Sequence, residues 1–327
     1  MMKELWFTAL CFYAACGLSH EARAKMILES GLEDPLPIIR IHAAVGLDGE
    51  SGKKVLIEVL HNTDSDVIAA ALDAALQNAN LLPDAEIYRA CSSANPSVRE
   101  AAFRLTLERE EAGMRQLYIQ GTQDGVAEVR KISYVGLAKL GETEILERGL
   151  HDQEARVRIA VAREAGKQGF AGMSEFIKEE LAKSTPDMLG AGIIAMAELG
   201  DTASASLFRG LLRESTGELR IDAAEALLII GDDTGVDILK KSLKANDPFV
   251  RIHAASVFTR HTIPGTTVAL ESALKDEFVN VAVLVLRALA EHDAPGQRQQ
   301  FIELMDAQNP LLRIEAAAAY LRSLDGA

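Results

Sequence analysis

Apolar and polar positions recur along this chain in a two-part phrase. The first part carries apolar residues four apart, as at Leu146/Leu150, Ile177/Leu181, Leu207/Leu211, Leu239/Leu243 and Leu270/Leu274. Four positions are about one helical turn, so each pair shares a helix face. A short polar turn follows. It contains a residue suited to capping the next helix: Asp34, Asp64, Asn95, Thr185, Thr216, Asp247, Asp276 or Asn309. Such side chains accept from the free N–H groups of a first helical turn. Proline directly follows the cap at Pro35, Pro96, Pro186, Pro248 and Pro310, where its missing N–H costs nothing. The second part is written most clearly as Val250-Arg251-Ile252-His253-Ala254-Ala255. Near-copies stand at Ile39–Ala44, Leu219–Ala224 and Leu312–Ala317. Its branched residue, its alanine pair and a later leucine form the apolar stripe of a second helix.

The arginine of that phrase marks a slot at positions 40, 68, 99, 130, 158, 190, 220, 251, 280 and 313, and seven of the ten hold Arg. A period near 30 residues over ten copies predicts an array of helical hairpins. The array replaces the two domains that the length of 327 residues would otherwise suggest. Gly141, Gly200 and Gly231 follow the apolar end of a second helix and are placed to close it in the left-handed conformation. Between Asn78 and Pro83 the phrase is least regular.

Residues 1–24 follow another pattern. Lys3 precedes an apolar run from Leu5 to Leu18, which is too short to span a bilayer but fits the apolar region of a signal peptide. The run offers two processing points. Ala22-Arg23-Ala24 has small residues where a signal peptidase reads, giving a mature chain from Lys25. Tyr13-Ala14-Ala15-Cys16 is similar to a bacterial lipoprotein box, with Tyr where Leu is usual. The expectation is a signal peptide over 1–24, a repeat array over 25–327, and an exported protein of the periplasm or cell envelope. Lipidation of Cys16 is the second route, and a cytoplasmic protein with an extra first helix is the alternative.

Composition narrows the function. Hydrophobic residues are 48% of the chain and aromatics only 5%, which suits closely packed Ala- and Leu-rich helices. With 34 basic and 48 acidic residues the net charge is −14, so nucleic acid is disfavoured as a partner. The three cysteines, Cys11, Cys16 and Cys91, have no metal-ligand spacing, and Cys91 reads as a small core residue. Phosphate-loop, nucleophile-elbow and zincin motifs are missing from the sequence.

The capping Asp or Asn, the proline, the Val-Arg pair and the Ala-rich second helix ending in Leu-Gly together resemble the HEAT-repeat family. They resemble in particular the short bacterial repeats also found in phycobilin lyases. The resemblance covers residues 25–327. It implies an all-α, right-handed α-solenoid of about ten hairpins, armadillo-like in its helical stacking, whose second helices line a concave binding surface. It also implies that an Asp six residues before the slot Arg ties adjacent repeats, as Asp34/Arg40, Asp124/Arg130 and Asp152/Arg158 allow. HEAT-like hydroxylases hold iron through repeated His-Glu pairs. Here only His20-Glu21 has that order, while His42 and His253 precede alanine and Glu291-His292 is reversed, so no metal, cofactor or catalytic residue is expected.

The reading is a non-enzymatic scaffold for a protein or peptide partner, with a phycobilin-lyase-like or other modifying enzyme as the alternative. Positions two and five past each slot are expected to face the groove. They run from His42 and Val45 through Ile132, Val135, Asp222, Glu225, His253 and Ser256 to Glu315 and Ala318. Ile132 and Val135 would form its apolar centre, and Arg104 and Arg163 its charged edges. Glu225 is expected to face solvent.

Overall fold

The computed structural model describes residues 18–109, 112–293 and 296–325, and within them the regular structure is entirely helical. The apolar run Leu5–Leu18 lies outside the described residues except for Leu18 itself. Among the described residues twenty α-helices form ten hairpins, and all ten slots fall on the second helix of a hairpin. The helices are α1 (His20–Gly31), α2 (Pro37–Leu47), α3 (Glu50–Leu60), α4 (Ser65–Ala74), α5 (Asp84–Cys91), α6 (Pro96–Thr106) and α7 (Arg115–Gly121). Next come α8 (Ala127–Lys139), α9 (Leu146–Gly149), α10 (Ala155–Lys167), α11 (Met173–Lys183), α12 (Leu189–Glu198), α13 (Ala205–Glu214) and α14 (Gly217–Ile229). The series ends with α15 (Val236–Ser242), α16 (Pro248–Arg260), α17 (Thr267–Ala273), α18 (Val279–Asp293), α19 (Arg298–Leu304) and α20 (Pro310–Asp325).

Local chemistry sets most boundaries as expected. Side-chain oxygens of Asp64, Asn95, Asp247, Asp276 and Asn309 accept from the N–H two residues ahead at 2.8 to 2.9 Å. Asp34 does the same for Leu36 just outside α2, whereas Thr185 and Thr216 make no side-chain cap. Gly141, Gly200 and Gly231 all have positive φ, between 74° and 83°. After each, the next N–H reaches back five residues: Glu142 to Leu137, Asp201 to Met196 and Asp232 to Leu227. This double closure satisfies carbonyls that a helix end would otherwise leave bare. The irregularity near Asn78 is present. Residues Ala75–Leu81 form a 3-10 stretch broken at Asn78, whose φ and ψ are −150° and 80°.

The chain divides into two compact units, residues 1–82 with 270–327 and residues 83–269. The second unit stacks α5 to α16 as successive hairpins, with second helices α6, α8, α10, α12, α14 and α16 each packed on the next. Its core is built from Val, Ile, Leu and Ala of those helices, for example Val129, Leu137, Val157, Val161 and Leu227, none of which reaches solvent. Cys91 is buried there, and burial pushes its thiol up to about 12, so it is an inert core residue as expected. One first-helix pair departs from its expected phase. In α13 Leu207 is exposed, and Phe208 and Leu212 fill the core instead. Phe208 brings more apolar area than Leu207, so the helix turns by one position to bury it.

In the first unit the earliest and latest hairpins pack on each other. Helix α20 lies against α1 and α2 as well as against α18 and α19. The approach is close because small residues meet there. A Cβ on Gly46 would lie 2.7 Å from the Cβ of Ala318, and one on Gly31 would lie 2.5 Å from Ile314 Cδ1. Helix α1 begins at His20, ahead of the expected start of the array at Lys25.

Candidate functional site

Where the slot holds arginine, that side chain pins its second helix to the turn before it. In the second unit Arg99 Nη1 donates to the carbonyl of Ser93 at 2.9 Å, and its Nε and Nη2 fork onto Asp124 of the next hairpin, both at 2.9 Å. Arg130 repeats this with the Asp124 carbonyl at 3.0 Å and a fork onto Asp152 at 2.7 and 2.8 Å. Arg158 takes the Asp152 carbonyl at 2.6 Å and Glu180 at 2.5 and 2.8 Å. Each clamp therefore ties the arginine's own turn to the following repeat. Asp124 and Asp152 also accept from Val126 N and Glu154 N, so one carboxylate caps its helix and receives the previous arginine. Burial alone would raise the pKa of both carboxylates, but the arginines and N–H groups outweigh it and hold them below the usual carboxylate range.

As the resemblance implies, Asp124 and Asp152 tie adjacent repeats, each carboxylate taking the arginine of the preceding repeat. The arginine six residues after each Asp takes that residue's backbone carbonyl instead. The carbonyl needs no particular residue. Accordingly Arg251 and Arg313 bind the carbonyls of Ala245 and Ala307, both at 2.8 Å.

The expected groove positions fall on the seams between neighbouring second helices. Ile132 and Val135 are only 3% and 8% exposed, so they belong to the core of the second unit and offer little surface to a partner. Their helix is buried on more than half its circumference, because small residues such as Gly136 and Ala138 let its neighbours come close on several sides. Arg104 and Arg163 do reach the surface. Arg104 pairs with Glu100 at 2.7 Å, and Arg163 pairs with Glu164 at 2.7 Å and Glu198 of α12 at 3.5 Å. Lys167 adds a 2.6 Å contact to the same Glu198.

Polar residues at the groove positions pair with each other across the seams. Asp222 of α14 meets His253 Nε2 of α16 at 2.7 Å. Glu225, expected in solvent, is only 4% exposed and is held by Arg260 and His261, both at 2.8 Å. Burial would raise its pKa, yet these two partners bring it down to about 2. A single sequence gives no sign of this, since both cations lie 35 or 36 positions away.

In the first unit the same positions make the contact between the terminal hairpins. His42 Nδ1 lies 2.6 Å from Glu315 Oε1, and Arg287 Nη2 lies 2.7 Å from that oxygen. Glu315 is buried, but His42 and Arg287 overcome the burial penalty and hold it at about 2. The ionised carboxylate only accepts, so His42 Nδ1 carries the proton and donates. Arg322 lies nearby, lowered by burial and partly compensated by Glu315.

The α14–α16 seam predicts a two-sided pH dependence. The charged groups facing it are Glu218, Asp222 and Glu225 from one helix and His253, Arg260 and His261 from the other. Glu225 has a depressed pKa, so its stabilisation is present above its ordinary 4.5 and is lost as pH falls toward about 2. His253 is raised above 6.5 by its hydrogen bond to Asp222 against an opposing burial effect. Its stabilisation is therefore full below 6.5 and is lost as pH rises through the folded value. Urea titrations should give the highest midpoint between these limits. Asp222→Asn should flatten the alkaline decline, and Glu225→Gln should weaken the acid one.

Among the described residues no group of three or more His, Cys, Asp or Glu is arranged to hold a metal ion. A surface depression beside α3 is lined by Glu50, Ser51, Lys53, Lys54 and Ile57.

No curated protein matches the chain. Among solved structures it is similar to two engineered proteins from the Northeast Structural Genomics Consortium. One is 18% identical over 92% of this chain and 99% of its own, with a TM-score of 0.36. The other is 17% identical over 93% and 97%, with a TM-score of 0.16. Both scores are too low to define a shared fold. The family comparison is local and specific: residues 173–258, from the start of α11 into α16, match the family described as HEAT repeats.

Proposed function

We propose that this protein is a non-enzymatic scaffold that binds a protein or peptide partner along the surface lined by its second helices. The observation that supports the reading is the half-exposed charge on those helices. Arg163 and Lys167 reach Glu198 across the seam between α10 and α12, and the three side chains are 27 to 40% exposed. The backbones beneath are already held by packing and, at α10, by a slot-arginine clamp, so a partner meets a preformed surface and little ordering is needed. Exposed ion pairs stabilise a fold by only about 0–1 kcal/mol each, so a partner's own charges exchange into them at small cost.

The test is affinity capture from the native host with the wild-type protein and the double variant Arg163→Gln, Lys167→Gln, which removes the two exposed charges without reversing them. A partner retained by the wild type and lost by the variant, at equal melting temperature, supports the reading. Retention of the same partner by both contradicts it.

A phycobilin-lyase-like activity is the competing proposal, and it rests on the short repeat alone. Incubation with an open-chain tetrapyrrole and an acceptor subunit, followed by absorbance, distinguishes the two. Export to the periplasm or cell envelope belongs to the same reading and is motivated by the Leu5–Leu18 run. Among the described residues no helix is long and apolar enough to cross a membrane.

A further inference from the structure

An arginine at one repeated place on the second helices meets a carboxylate in α16 and none in α20. In α16, Arg260 stands nine positions past its slot, and its Nε and Nη2 fork onto Glu225 of α14 at 3.0 and 2.8 Å. Glu225 itself stands five positions past the slot of the preceding repeat. In α20, Arg322 stands nine positions past slot 313, but five past slot 280 of the preceding repeat is Val285, which is completely buried. The carboxylate that the repeat would supply is thus replaced by a side chain with no acceptor. Glu315 does not take its place. Seven positions separate Glu315 from Arg322, so both lie on one face of α20, about 10 Å apart along its axis. Glu315 Oε1 already accepts from His42 Nδ1 and Arg287 Nη2, and its Oε2 accepts from Arg287 Nε at 3.0 Å. Glu291 of α18 acts on Arg322 through its charge alone. Among the described residues Arg322 makes no hydrogen bond or ion pair.

Two further observations point to a ligand. Arg322 is open to solvent, yet the protein packed around it pushes its pKa down; Glu315 opposes this, Arg287 adds to it and Glu291 opposes it. A cation whose charge its surroundings disfavour gains more from an arriving anion than one in open water does. Arg287 also keeps donors in reserve. Its Nε and Nη2 are spent on Glu315, while its Nη1 has no acceptor among the described residues and reaches solvent, since no unpaired side-chain nitrogen there is buried. We propose that Arg322, with Arg287 Nη1 beside it, is a binding site for a carboxylate on the seam between α18 and α20. The planar fork of Arg322 receives the two carboxylate oxygens as Arg260 receives Glu225, and Arg287 adds a second cation from the neighbouring helix. The inference goes beyond the scaffold reading, whose charged surface lies on α10 and α12 of the other unit. This carboxylate chemistry has two sources, a free small acid or the acidic side chain of a peptide.

The test follows the arginine Nε–Hε resonances of the isotope-labelled, full 327-residue chain by NMR, with Arg322→Gln beside it. The Arg322 resonance is the one missing from that variant, and the exposed position lets the variant fold. Titration with succinate should move the Arg322 and Arg287 resonances saturably. In Arg322→Gln the succinate affinity, read at Arg287, should fall by about tenfold or more. A blocked hexaglutamate peptide separates the sources. Saturation by the peptide assigns the site to an acidic segment of a partner, saturation by succinate alone assigns it to a free acid, and either supports the site. An Arg322 resonance that neither acid moves overturns the inference. So do equal shifts from sodium chloride at matched ionic strength, or an unchanged succinate affinity in Arg322→Gln. These acids are supplied without any host protein, so failure of the capture experiment above leaves this result standing.

Discussion

Replacing Glu315 by alanine is expected to destabilise the protein by about 3–5 kcal/mol, because removing one partner of a buried pair leaves the other charge uncompensated. Glu315 is buried in α20 and receives both His42 from α2 and Arg287 from α18. Its loss strands the Arg287 guanidinium and the His42 N–H, and Arg322 loses the carboxylate that offsets its burial. Chemical denaturation of the variant beside Glu315→Gln checks this. The amide keeps an acceptor for one donor and should lose less than alanine. Equal stability of wild type and Glu315→Ala would mean that the contact between terminal hairpins is not held by this carboxylate.

The second large effect is expected at Arg130. Its guanidinium forks onto Asp152 and binds the Asp124 carbonyl, and both members of the ion pair are about 7% exposed. Arg130→Ala breaks a buried, hydrogen-bonded pair and should cost about 3–5 kcal/mol. Arg130→Lys should recover little of that, because an ammonium cannot make the planar fork and reach the carbonyl at once. Arg104→Ala, which removes a more exposed pair with Glu100, should change stability by no more than about 1 kcal/mol. A denaturant titration in which Arg104→Ala matched Arg130→Ala would contradict the clamp.

The sequence was most legible where the physics is local. Helix caps, left-handed closures and the roughly 30-residue period depend on neighbours a few positions apart, and the ten hairpins sit where the repeated phrase puts them. Legibility failed where the deciding neighbour is remote. Ile132 and Val135 were expected to face a groove, but whether a helix position is groove or seam depends on how close the next helix comes. That distance is set by small residues on another repeat. Glu225 reads as a surface carboxylate until Arg260 and His261 are seen beside it. The His42–Glu315 pair joins residues 273 positions apart, and no periodicity announces that the last repeat packs on the first. The exposed Leu207 is a closer miss, since Leu207/Leu211 and Phe208/Leu212 both satisfy helical spacing and only burial of the larger ring separates them.

The central structural claim is that the first and last hairpins form one cooperative body through the seam of α1, α2 and α20. Native-state hydrogen exchange tests it most directly. The amides of Ile41–Val45 in α2 and Ala316–Ala319 in α20 should share one opening free energy in the wild type. Both should lose protection together in Glu315→Ala, while the amides of α8 in the other unit keep theirs. Independent opening of the two segments in the wild type, or loss in α20 with α2 fully protected in the variant, would contradict it.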